Sequence, residues 1–321
     1  MAVYTEVPDD ELARFVDSYG LGPIRSFKGI AEGVENTNYL LETGGGRFIL
    51  TLYEKRVDPA DLPFFLGLME HLSAKGLTCP LPRHDRAGQA LRTLAGRPAA
   101  IVTYLDGMSI RRPEPRHCQA VGACLARLHS AGQDFAIPRA NALGLPGWRP
   151  LFDRFAARAD EIVSGLGDLI THELAELEQR WPHGLPSGVI HADLFPDNVF
   201  FLADTLSGII DFYFACNDAF AYDLAICLNA WCFEPDGSFN STKARGLIRG
   251  YRAERELTAA EVESLPLLAR GSALRFLLTR AYDWLNTPAG ALVRPHDPRE
   301  YLRKLRFHQS VRSARDYGLD E

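Results

Sequence analysis

The segment Val189-Ile190-His191-Ala192-Asp193-Leu194-Phe195-Pro196-Asp197-Asn198-Val199-Phe200-Phe201 sets three polar side chains in the order H-x-D-x-x-x-x-N between apolar, strand-like runs. Thirteen residues after Asn198 stands Asp211, within Ile209-Ile210-Asp211-Phe212. These residue types suit phosphoryl transfer. A carboxylate at Asp193 can orient an attacking hydroxyl and accept its proton. The amide oxygen of Asn198 and the carboxylate of Asp211 are hard oxygen donors of the kind Mg²⁺ prefers. A cation held there would offset the charge that builds on transferring phosphates. His191 reads as a brace for the loop rather than as an acid or base. An Asx turn with a satisfied histidine would also use these residues. It would not account for the flanking strands or for the second aspartate.

A loop of this kind needs rigid elements around it. Residues 8–19 read as an amphipathic helix with acids in its first turn and Leu12, Phe15, Val16 and Tyr19 on its apolar stripe. Gly44-Gly45-Gly46 turns a hairpin between Asn38–Thr43 and Arg47–Tyr53. A helix is expected over 59–75, and two short strands over 89–94 and 98–105. Beyond 107 the periodicity is largely helical: 114–131, one or two helices within 150–180, then 219–232, 242–254, 258–286 and 298–316. Strand-like runs at 188–190, 199–202 and 208–212 interrupt it, and these carry the polar residues above. The expectation is an α+β fold of two lobes. Residues 1–105 form a small antiparallel-sheet lobe, to which the family resemblance given below assigns nucleotide binding. Residues 106–321 form a larger, mostly helical lobe that carries Asp193 and Asn198, and the same resemblance assigns it catalysis and substrate binding.

Composition narrows the function classes. The 321 residues carry 35 basic and 41 acidic side chains, a formal net charge of −6. A mildly acidic chain lacks the basic surface that nucleic acid requires, so no nucleic-acid partner is expected. Six cysteines without a C-x-x-C read as buried free thiols rather than metal ligands. The N-terminal residues lack the basic start and apolar core of a signal peptide, and no apolar run approaches the ~18 residues needed to cross a bilayer. A cytoplasmic protein without a membrane partner, monomeric or homodimeric, is the expectation. The chain contains neither G-x-x-x-x-G-K-[ST] nor a helix-opening G-x-G-x-x-G, so neither a P-loop nor a dinucleotide fold is supported.

His191-Ala-Asp193-Leu-x-Pro-Asp-Asn198 with Ile209-Ile-Asp211-Phe resembles the aminoglycoside-phosphotransferase and choline-kinase family of the protein-kinase-like fold. The similarity runs over essentially the whole chain. Phe27–Tyr39, Phe48–Glu54, Asp61–Phe65 and Ala273–Phe276 bring it nearest to the bacterial members that phosphorylate L-homoserine to O-phospho-L-homoserine, a step of threonine biosynthesis. The resemblance implies ATP and Mg²⁺ as cofactors and a small amino-acid substrate. It makes Asp193 the catalytic carboxylate and Asn198 and Asp211 the metal ligands. It gives the nucleotide Gly29, Gly33, Asn36 and Asn38 in the covering loop, and Thr103 and Leu105 in the hinge. His191 and Asp223 would brace the loop, and Arg275 or Arg280 would meet the substrate carboxylate. Kinases of choline, ethanolamine, hydroxylysine, methylthioribose or aminoglycosides are the alternatives, and a nucleotide-binding pseudokinase is a further one. One departure stands out. Thr51 occupies the strand position where the family carries a base for the phosphates, and Phe65 stands near that base's acidic partner. Lys55, of the same parity as Thr51 along a strand, is a candidate substitute.

Overall fold

A computed structural model describes residues 5–30, 36–54, 57–288 and 294–319. The chain divides into two compact units. Residues 1–107 with 207–213 make the first, and residues 108–206 with 214–321 the second. The return of 207–213 to the first unit is not legible in the sequence. It places Asp211 with residues 1–107, whereas Asp193 and Asn198 belong to the second unit.

The first unit is a five-stranded antiparallel sheet with two helices. Its elements are α1 (Asp9–Ser18), β1 (Ile24–Gly29), β2 (Thr37–Thr43), β3 (Gly46–Leu52), α2 (Leu62–Ala74), β4 (Leu91–Leu94) and β5 (Arg97–Thr103). The strand order is β1-β2-β3-β5-β4. Along β2 every second residue is buried: Thr37, Tyr39, Leu41 and Thr43. Leu41, Leu50 and Ile101 thereby join Leu12, Phe15 and Val16 of α1 in one apolar cluster. That alternation selects the register, because a slip of one residue would turn the apolar set outward.

The second unit holds α3 (Pro115–Ala131), α4 (Leu145–Asp153), α5 (Leu166–Arg180), β6 (Ser187–Ile190) and β7 (Val199–Leu202). β8 (Thr205–Ile209) then carries the chain into the first unit, and β9 (Cys216–Ala219) brings it back. Helices α6 (Phe220–Trp231), α7 (Ser241–Glu254), α8 (Ala259–Asn286) and α9 (Arg299–Ser310) complete it. β6 pairs antiparallel with β9, not with its sequence neighbour β7, so Ile190 lies opposite Cys216. Helices α3 and α7 pack with their backbones nearly touching. A Cβ at Gly122 would lie 1.9 Å from the Leu247 carbonyl oxygen, and one at Gly250 would lie 2.0 Å from that of Gln119. Only glycine permits this approach. It brings His129 at the end of α3 to the Tyr251 hydroxyl of α7, 2.7 Å away.

All six cysteines are free and buried. No described helix is long and apolar enough to cross a membrane. The expected helix over 298–316 stops at Ser310, and a short 3₁₀ turn, Ala314–Tyr317, follows it.

Candidate active site

The loop that carries Asp193 leaves β6 and immediately adopts an unusual backbone. Ala192 has φ of 62°, a left-handed conformation that costs a residue with a Cβ about 1–3 kcal/mol. Two side chains hold it there through three hydrogen bonds. The Asp223 carboxylate accepts from the backbone N–H of His191 at 2.7 Å and of Ala192 at 2.9 Å. The Arg275 guanidinium donates to the Ala192 carbonyl. Both Asp223 and Arg275 are buried.

Asp223 is in turn held by His129, whose Nε2 lies 3.1 Å from Oδ2. Burial lowers the affinity of His129 for a second proton, so the ring is neutral and donates to the carboxylate. Burial would raise the Asp223 carboxyl. The hydrogen bond from His129, with His191 and its backbone amide, holds it below the usual carboxylate value instead. Tyr251, His129, Asp223 and the strained loop thus form one continuous chain of hydrogen bonds.

Downstream, the loop closes on itself. The Phe195 amide donates to the Asp193 carbonyl at 2.8 Å, and the Asn198 amide donates to the Phe195 carbonyl at 3.0 Å. Asn198 Nδ2 donates to the Asp193 carbonyl at 2.9 Å and reaches Asp193 Oδ2 at 3.3 Å. The Trp231 indole donates to the Leu194 carbonyl at 2.7 Å. Because the Asn198 nitrogen is spent on Asp193, its amide oxygen is the atom left for a cation. That donor, together with a carboxylate, fits Mg²⁺. Asp211 follows β8 with φ of 64°, the same uncommon region as Ala192.

In the first unit, Gly29 ends β1, and the segment 31–35, with Gly33, lies outside the described residues. Asn36 and Asn38 flank it. Asn36 Oδ1 accepts from the Glu54 amide at 3.3 Å, and Asn38 Oδ1 accepts from the Thr51 hydroxyl at 2.8 Å. Each amide is therefore turned with its oxygen on β3 or the residues just past it. Thr51 is buried opposite Asn38 in the β2–β3 ladder. Phe65, fully buried, meets the ring of Tyr213 edge-on at 5.5 Å, and Tyr213 meets Tyr53 in the same manner at 5.5 Å. Burial pushes the Tyr213 hydroxyl up to about 12, so it stays protonated. Lys55 lies outside the described residues. Thr103 closes β5, where its N–H donates to the Leu81 carbonyl and its hydroxyl accepts from the Leu81 N–H, each at 2.9 Å. The Leu105 side chain packs against Gly208.

Both arginines expected at a substrate carboxylate are engaged within the protein. Arg275 is on the Ala192 carbonyl, and Arg280 pairs with Glu300 at 2.6 Å. What sequence reasoning missed lies beside the loop. A cavity of about 690 Å³ is bordered by Pro196, Trp231, Lys243, Arg303 and Lys304, and by the Arg111-Arg112-Pro113 segment. The signal was present in that paired arginine and in the i, i+3, i+4 spacing of Glu300, Arg303 and Lys304.

The chain is similar to known proteins along nearly its whole length. The model of the phosphotransferase enzyme family matches residues 26–257. A homoserine kinase of Azorhizobium caulinodans is 64% identical, with 99% of each chain covered. A homoserine kinase of Parvibaculum lavamentivorans is 62% identical, with 100% of each covered. Among solved structures, an amicoumacin kinase with AMP-PNP, Ca²⁺ and amicoumacin superposes with a TM-score of 0.68 at 16% identity, over 94% of this chain and 92% of that one. Choline kinase of Cryptosporidium parvum gives 0.67 at 15% identity, over 94% of each. The fold is protein-kinase-like, α+β, as expected from the motif.

Proposed function

Because the chain belongs to the phosphotransferase enzyme family, we propose that it transfers the terminal phosphoryl group of ATP to the side-chain hydroxyl of L-homoserine. The relatives' activity and their coverage of the whole chain support the substrate. The observation that carries the chemistry is the Asp193 loop, fixed by Asp223, Arg275 and its own Asn198. Such over-determination serves a group that must meet its substrate in one geometry.

Asp193 accepts the hydrogen bond of the substrate hydroxyl and aims its oxygen at the terminal phosphorus. As the new O–P bond forms and the bond to ADP breaks, the hydroxyl proton passes to the Asp193 carboxylate. Asn198 and Asp211 are the residues that would hold Mg²⁺. When bound with ATP, Mg²⁺ offsets charge on the terminal phosphates. Gly29, Asn36 and Asn38 border the nucleotide, and the NH₂ groups of the two asparagines, whose oxygens are taken by Glu54 and Thr51, can serve as phosphate donors. The Thr103 carbonyl and Leu105 amide receive the adenine edge. A cytoplasmic role in threonine biosynthesis follows from that substrate.

Asp193→Asn tests the reading. Turnover of ATP with L-homoserine falls to background, while ATP affinity in the presence of Mg²⁺ stays within about tenfold. Near-wild-type phosphate transfer in that variant would refute the assignment.

A further inference from the structure

The cavity beside the catalytic loop lies wholly within the second unit; each acid of its wall is paired, Asp297 with Arg299 at 3.4 Å, and its cations are of two kinds. Two lysines are buried and already neutralised. Lys243 pairs with Glu234 at 2.7 Å, and Lys304 pairs with Glu300 at 2.7 Å while donating to the Asn229 carbonyl at 2.9 Å. Glu300 is compensated twice, by Lys304 and by Arg280. The three arginines, Arg111, Arg112 and Arg303, differ. They are exposed, and none makes a hydrogen bond or ion pair to a described residue. Arg303 stands on helix α9, between the anchored side chains of Leu302 and Lys304. Its guanidinium nitrogen Nε would lie 3.3 Å from a Cβ at Gly237.

This is the charge arrangement of an anion site. The paired lysines set the shape of the wall, and the unpaired guanidinium groups leave positive charge unspent. Guanidinium binds carboxylate through two parallel hydrogen bonds, which fixes orientation as well as supplying attraction. The cavity also touches the machinery. Pro196 opens the turn that ends at Asn198, and Trp231 donates to the carbonyl of Leu194, next to Asp193.

We infer that this cavity seats the α-carboxylate of the acceptor, with Arg303 as its principal ligand and Arg111 and Arg112 beside it. The inference rests on the reading of the chain as an amino-acid kinase and assigns that reading its specificity site. It also explains rejection. A choline-like or polycationic alcohol brings no carboxylate and meets uncompensated positive charge, so the same arginines select against it.

The experiment measures phosphate transfer to L-homoserine and to 3-aminopropan-1-ol, which keeps the amine and hydroxyl but lacks the carboxylate. For Arg303→Gln, KM for L-homoserine rises about 10- to 100-fold, while kcat and the KM for ATP stay within about twofold. Arg303→Lys recovers part of the loss. Arg111→Gln and Arg112→Gln give smaller increases. The kcat/KM for 3-aminopropan-1-ol falls in none of them and rises in the Gln variants, where the charge that rejects a cationic alcohol is gone, a result that a merely structural defect would not produce. If the wild type phosphorylates L-homoserine and every arginine variant keeps its KM within twofold, the cavity assignment is overturned and the kinase reading stands. If the wild type does not use L-homoserine, both are overturned.

Discussion

The loop around Asp193 and the strand β3, the two regions expected to meet the phosphates, use opposite electrostatics. The loop rests on an ionised aspartate with no exposure to solvent, an arginine on a strained carbonyl and a buried histidine. On β3 the corresponding polar residue is a neutral threonine that bonds to a neutral asparagine, beside the aromatic contacts of Phe65 and Tyr213. A buried charge is stable only with all its partners in place, and removing one partner strands the other. The loop keeps the partners of its buried carboxylate. Thr51 on β3 and Phe65 on α2 stand in place of both members of the expected ion pair, so neither is stranded. The difference sets a braced buried charge against a charge pair that is absent as a unit.

Asp223→Asn breaks the comparison hardest. It removes the charge and turns a donor toward a backbone N–H that needs an acceptor. Stability at pH 7 drops by about 3–5 kcal/mol, and turnover falls more than the stability loss explains. The pH dependence has a definite sign. The folded carboxyl lies below its ordinary value of 3.8, so its contribution is full above that value and fades as pH falls through the lowered one. Urea melts of wild type and variant should therefore converge under acid conditions below pH 3.8. Equal stability of the two proteins at pH 7 would remove Asp223 from its bracing role.

Arg275→Gln separates bracing from binding. Loss of the guanidinium leaves the buried Ala192 carbonyl short of its strongest donor, at a cost of about 1–3 kcal/mol. The left-handed turn loosens, so kcat falls about tenfold while the KM values for ATP and L-homoserine stay near wild type. A raised KM for L-homoserine with kcat intact would instead return Arg275 to the substrate carboxylate, where its position on a helical pattern with Arg280 first suggested it.

The pattern of what the sequence disclosed has a physical basis. The elements follow from local periodicity, and the hairpin around Gly44–Gly46, helix α3 and helix α6 fall within a residue or two of their expected bounds. The H-x-D-x-x-x-x-N unit was legible because its spacing is itself the loop. β9 was not. Cys216-Asn217-Asp218-Ala219 has no alternation, and it forms a strand only because β6 offers its edge. The work of Arg275 was hidden for the same reason, since its acceptor lies 83 residues away along the chain. The cavity arginines were passed over because their spacing marks a helix face without saying which of its charges are paired. The contrast between paired and unpaired cations exists only in three dimensions.

Thr51→Val is the smallest of these perturbations and the most informative about β3. Valine keeps the volume and the branched Cβ that a strand accommodates, and it removes only the hydroxyl that donates to Asn38. The loss is one neutral hydrogen bond, about 0.5–1.5 kcal/mol. Asn38 then loses the contact that turns its oxygen toward β3, and its NH₂ is no longer held on one side. The KM for ATP should rise about two- to threefold with kcat unchanged. If it rises tenfold or more, the hydroxyl of Thr51 itself serves the phosphates, and β3 contributes directly to nucleotide binding instead of orienting Asn38.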